Sequence, residues 1–215
     1  MMKLCFRFAF YLALAIGFSV ARAGAYEDFF KAITFDDARA IDSLLARGFD
    51  PNARDEKGQT PLFLSLRDGS FKVAASLLGQ PQTRLDLANA AGETALMMAA
   101  LKGQTDWVQR LLDKGARLES PAPPGWTALH YAASGPEPRT VALLLARGAL
   151  VDARSPNGST ALMMAARYGA EDAVQPLLQK GADPRLRNDL GLGAADFARQ
   201  AGRDKLSASL AQLAR

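Results

Sequence analysis

Histidine and cysteine are almost missing from this chain, which has one of each, His130 and Cys5, among 215 residues. That scarcity removes most of the material for nucleophilic and metal chemistry. No H-E-x-x-H pair and no G-x-x-x-x-G-K-[ST] loop occurs, so neither a zinc-holding helix nor a phosphate cradle is written in the sequence. The run GLGAAD from Gly191 to Asp196 lacks the third glycine and the preceding strand of a dinucleotide fingerprint. No enzyme, resident metal or cofactor is expected. A single cysteine also excludes a disulfide framework.

Long apolar runs are scarce too. The longest, Phe8 to Val20, falls short of the roughly 20 residues that a membrane-spanning helix needs. It follows Lys3 and Arg7 and precedes the small-x-small triplet Ala21 to Ala23, which is the layout of a secretory signal peptide cleaved after Ala23. No stable membrane anchor is expected after cleavage. Lys3, Arg7 and Arg22 lie in that segment, so 23 of the 26 basic residues remain against 22 acidic ones, a net charge of +1 in place of +4. Nucleic-acid binding calls for a concentrated basic stripe, and none stands out. Cys5 leaves with the segment. A thiol-free exported chain with a short signal places the protein in a bacterial periplasm.

What the sequence has in abundance is repetition. TALMMAA runs from Thr94 to Ala100 and returns from Thr160 to Ala166; TALHYAA lies between them at Thr127, TPLFLSL precedes them at Thr60, and GAADFAR closes the series at Gly193. The steps are 33 or 34 residues, and a fixed period of that size marks a stacked array. A glycine stands two residues before each motif (Gly58, Gly92, Gly125, Gly158, Gly191), and leucine pairs follow, such as Leu77 with Leu78 and Leu144 with Leu145. The opening threonine can cap a helix, and Pro61 suits the first helical position. Leu96, Ala99 and Ala100 share one face, where the alanines admit a close neighbour. Glycines nine residues after the cap end the first helix, and a second apolar helix follows. Such a unit cannot bury its apolar faces alone, so the chain is an all-α solenoid of about six helix-turn-helix units with projecting loops. The units fall at roughly 27–59, 60–93, 94–126, 127–159, 160–192 and 193–215, within one domain over 24–215. Pro176 lies inside a second helix and is expected to kink it.

These motifs resemble the ankyrin repeat, whose T-P-L-H-x-A-A signature survives in the four central copies and whose G-A-D turn appears as RGFDPN, KGAR, RGALVD and KGADPR. The second unit departs from it with LGQPQTRLDLAN and one extra residue. The resemblance implies a protein–protein interaction module that binds on its concave side. Exported bacterial proteins of this kind serve in peroxide defence alongside catalases or as immunity partners of secreted toxins. A monomer with one protein partner is expected.

Carried over by position, the contact residues are Glu56, Lys57 and Gln59, Arg67 and Asp68, Glu93, Leu101 and Lys102, Trp126, Ser134, Ser159, Arg167 and Tyr168, and Leu190 with Leu192. Interface anchors favour Trp, Tyr and Arg, which singles out Trp126, Arg167 and Tyr168. His130 has two readings. It occupies the motif position where the family's histidine is structural, matched elsewhere by Phe63, Met97 and Met163. Alternatively it ligates haem iron, with Tyr131 or a methionine nearby, in a haem-binding or haem-delivery accessory protein.

Overall fold

The computed structural model describes residues 24–119 and 125–215, so the expected signal segment, residues 1–23, lies outside the described residues. Twelve α-helices account for the regular structure, and no strand occurs among the described residues. The first, α1, covers 24–34 and therefore starts before the unit boundary expected near 27. The others pair off as α2 (Ala38–Ala46), α3 (Pro61–Asp68) with α4 (Phe71–Gly79), α5 (Ala95–Leu101) with α6 (Thr105–Asp113), α7 (Ala128–Ser134) with α8 (Pro138–Ala146), α9 (Ala161–Arg167) with α10 (Val174–Gln179), and α11 (Ala194–Gln200) with α12 (Asp204–Leu213). None of them is long and apolar enough to cross a membrane.

Four of the first helices, α3, α5, α7 and α9, begin where a threonine takes an extended backbone. The Thr60 hydroxyl accepts from Phe63 N–H at 3.3 Å, and that of Thr94 accepts from Met97 N–H at 3.3 Å. The residue at the fourth motif position answers in the other direction. Met97 and Met163 sulfurs each accept from the cap residue's N–H at 3.4 Å, which makes the Thr94–Met97 pair a reciprocal cap, and Asp196 Oδ2 accepts from Gly193 N–H at 2.9 Å. The short helices α3, α5, α7, α9 and α11 stack in sequence order, with α2 on α4 and α6 on α8 on α10 along the other layer. Their shared core holds Leu66, Leu96, Ala99, Ala100, Leu129, Ala133, Leu162 and Ala166, all essentially without solvent contact. Alanines at these positions let backbones approach to near contact.

Between units the chain projects a tight loop. Its Asp, Asn or Ser folds back on itself: Asp55 Oδ1 accepts from the N–H groups of Lys57 and Gln59 at 2.9 and 2.7 Å, and Asn89 and Asn188 repeat the pattern. Successive loops are tied by hydrogen bonds, among them Arg84 N–H to Asn52 Oδ1 (2.8 Å), Arg117 N–H to Asp86 Oδ1 (2.9 Å) and Asp183 N–H to Asp152 Oδ1 (3.1 Å).

One expectation needs correction, and one irregular unit takes a definite form. Pro176 does not kink a helix: the segment opens with a 3-10 turn, Glu171–Ala173, and α10 starts at Val174, so Pro176 stands in the first turn, where its missing N–H has no helical partner to lose. The irregular second unit ends α4 with Gln80 in an extended conformation, and Thr83 supplies the stop by donating its hydroxyl to the Leu77 carbonyl at 2.6 Å.

Candidate functional site

The expected contact residues sort into three groups. Glu56, Lys57, Arg67 and Asp68 come together with Tyr26, Phe30, Lys31 and Leu64 around a groove of about 500 Å³ between α1, the first loop and α3. Arg67 has its charge paired there. It makes a two-pronged ion pair with Asp68, at 2.7 and 2.8 Å, and donates to Gln59 Oε1 at 2.8 Å. The groove's wall was invisible to motif counting because α1 carries no copy of the repeated heptapeptide.

Glu93 and Ser134 form the middle group, and both are engaged within the array, Glu93 across units and Ser134 inside its own helix. Glu93 Oε1 accepts from the Tyr131 hydroxyl at 3.0 Å while Oε2 accepts from Asn89 at 2.8 Å; the Ser134 hydroxyl donates to the His130 carbonyl at 3.0 Å. Burial and then the Glu93 carboxylate push the Tyr131 phenol well above its usual value, so it stays a donor. The sequence signal for Tyr131 was there to read: it takes the fifth motif position, held by Leu64, Met98, Met164 and Phe197 in the other units. Leu101 is half-buried and Lys102 exposed. Trp126 is half-buried, its indole edge-on to the His130 ring with centroids 5.3 Å apart.

Arg167, Tyr168, Leu190 and Leu192 form the third group. The Tyr168 ring is 57% exposed and Leu190, on its loop tip, 80%. Leu192 is half-buried. The Arg167 guanidinium lies over the Tyr168 ring at 5.1 Å and near the Phe197 ring at 5.8 Å, and donates to Gln200 Oε1 at 2.7 Å.

Ser159 does not belong to this surface. It is fully buried, its N–H donating to Ser155 Oγ at 3.0 Å and its carbonyl facing His130 Nε2 at 3.1 Å. The haem reading of His130 falls with the same geometry. The ring is 1% exposed, and Nδ1 meets the Thr127 N–H at 3.2 Å and hydroxyl at 2.9 Å. A carbonyl can only accept, so Nε2 carries the proton and Nδ1 is the acceptor. Both nitrogens are engaged and no face is open to a metal. Desolvation holds the imidazole below its ordinary value, which keeps it neutral.

A family model described as "Ankyrin repeats (3 copies)" matches residues 29–122 and 117–188. Among curated proteins, the zebrafish (Danio rerio) ankyrin repeat and SAM domain-containing protein 6 is 37% identical over 69 residues, 32% of this chain and 9% of that protein. Human (Homo sapiens) Rabankyrin-5 is 40% identical over 62 residues, 29% of this chain and 5% of that protein. The chain thus spans less than a tenth of these relatives' length. A solved chain covers far more: one from the complex of the Bd0816 predatory endopeptidase of Bdellovibrio bacteriovorus with immunity protein Bd3460 superposes with a TM-score of 0.72 at 29% identity, over 86% of this chain and 97% of that one.

Proposed function

Because the chain belongs to the ankyrin-repeat family, we propose that it is an exported interaction module that captures one folded protein on its inner helices and loop tips and acts as the immunity partner of a secreted peptidase. The observation that carries this reading is the near full-length likeness to a chain of a peptidase–immunity complex. Of the two settings that the family resemblance implies, immunity is the one with a solved relative behind it. The periplasm is the proposed compartment, reached through residues 1–23.

The surface suits such a role. Exposed Tyr168 and Leu190 and half-buried Trp126 provide aromatic and aliphatic anchors among polar neighbours, which is how interfaces between folded proteins are built.

Affinity capture from periplasmic extract, with identification of the bound protein, tests the proposal. One equimolar peptidase is expected, with its protein-cleaving activity suppressed in the complex. Replacing Trp126 and Tyr168 together by alanine should abolish capture while the helical circular dichroism is kept. Capture undiminished in the double variant overturns the site, and a partner without peptidase activity overturns the immunity role.

A further inference from the structure

The second and fifth units stand 100 residues apart, so Arg67 and Arg167, Asp68 and Tyr168, and the residues just ahead of each cap, Gln59 and Ser159, hold equivalent places. The equivalence isolates one difference. Arg67 has its charge answered within its own unit by Asp68 and its remaining donors steadied by Gln59. At the matching places around Arg167 neither partner exists. Ser159 is short and buried, and Tyr168 carries no charge. The Arg167 guanidinium has no carboxylate within ion-pair distance among the described residues, and its one side-chain hydrogen bond goes to a neutral amide, that of Gln200 in the next unit.

We propose that Arg167 receives a carboxylate side chain of the partner protein, with Tyr168 as the apolar floor beside it. The inference rests on the protein-binding reading above and gives the partner its chemistry: an Asp or Glu next to an apolar residue on its docking segment. The guanidinium is already positioned by the Tyr168 ring, the Phe197 ring and Gln200, so ordering it on binding costs little, and its remaining N–H groups form the fork that a carboxylate fits bidentately. Half-burial raises the worth of such a pair above that of a fully solvated one. Arg67 shows on this same scaffold the arrangement that Arg167 lacks: a two-pronged carboxylate supplied by the next residue.

Panning a random heptapeptide phage library on the purified protein tests this. Selected peptides should be enriched in Asp or Glu adjacent to an apolar residue, with the enrichment lost on Arg167→Gln and kept on Arg67→Gln. Synthetic amidated copies of a selected peptide should bind Arg167→Gln about tenfold more weakly, the size expected for one charge-assisted contact. Absence of acidic enrichment, enrichment that survives Arg167→Gln, failure to select any peptide, or binding that requires a free peptide C-terminus each overturns the proposal. Non-acidic peptides that lose binding on replacing Trp126 and Tyr168 by alanine would sink this inference and leave the protein-binding surface standing. Peptides indifferent to all of these substitutions would remove both.

Discussion

His130 shows how much one side chain can carry when it faces two units. Its Nδ1 closes the cap of its own helix, while its Nε2 proton reaches the next unit at Ser159. Alanine at this position leaves the Thr127 N–H and the Ser159 carbonyl without partners in the interior and should cost about 3 kcal/mol of stability. Methionine, already present at the equivalent places as Met97 and Met163, would restore the cap and lose only the cross-unit bond, so His130→Met should cost about 1 kcal/mol. Thermal melts of the two variants check this order. The pH dependence follows from the same burial. The folded imidazole binds a proton less readily than the unfolded one, whose ordinary value is 6.5. The unfolded state therefore holds more protons just below 6.5, and stability rises with pH in that window. His130's contribution is complete above 6.5 and is lost as pH falls through the lowered folded value. His130→Met should flatten this slope, read as the change in melting temperature between acidic and neutral buffer.

At the scale of the helix pair, the glycines that end the first helices do two different jobs. Gly202 adopts a left-handed backbone at φ 72° with open space where a side chain would go. Gly169 is not left-handed; a Cβ there would sit 2.1 Å from the Ala133 carbonyl oxygen of the preceding unit. Gly169→Ala should therefore force α9 away from α7 and destabilise by about 2 kcal/mol or more. Gly202→Ala meets only the left-handed penalty of about 1 kcal/mol. Chemical denaturation of both variants distinguishes close approach from backbone strain. The sequence made this element readable in part. Threonine caps, leucine pairs and the 33-residue step are local signals, and they placed the stacked helices correctly. Whether a glycine serves a turn or a close approach depends on a residue one unit away, and Gly169 looks like Gly202 in the sequence. Pro176 misled for a related reason, since the 3-10 start that accommodates it comes from local geometry that no periodicity records.

For the molecule as a whole, the array's order is carried by contacts between neighbours. Ends have one neighbour and the middle has two, so amide hydrogen exchange should be slowest in α5, α7 and α9 and fastest in α1, α2 and α12. Uniform protection across all units would show instead a single all-or-none body. The candidate surface was less legible than the fold. Exposure at a repeat position follows from what the adjacent unit places against it. Ser159, read as a contact residue, is covered because His130 reaches its carbonyl; Glu93 is tied to the array by Tyr131 and Asn89; and the groove beside α1 is walled by a helix that carries no copy of the heptapeptide.

The ties between successive loops, Asn52 to Arg84, Asp86 to Arg117 and Asp152 to Asp183, have a mechanical consequence. Each joins a unit only to the one after it, so tension applied between the two ends passes through every tie in turn rather than being shared among them. The molecule is a chain of springs in series: under load the weakest junction opens first, lengthens the whole by one unit and relieves the force on the others, which keep their shape.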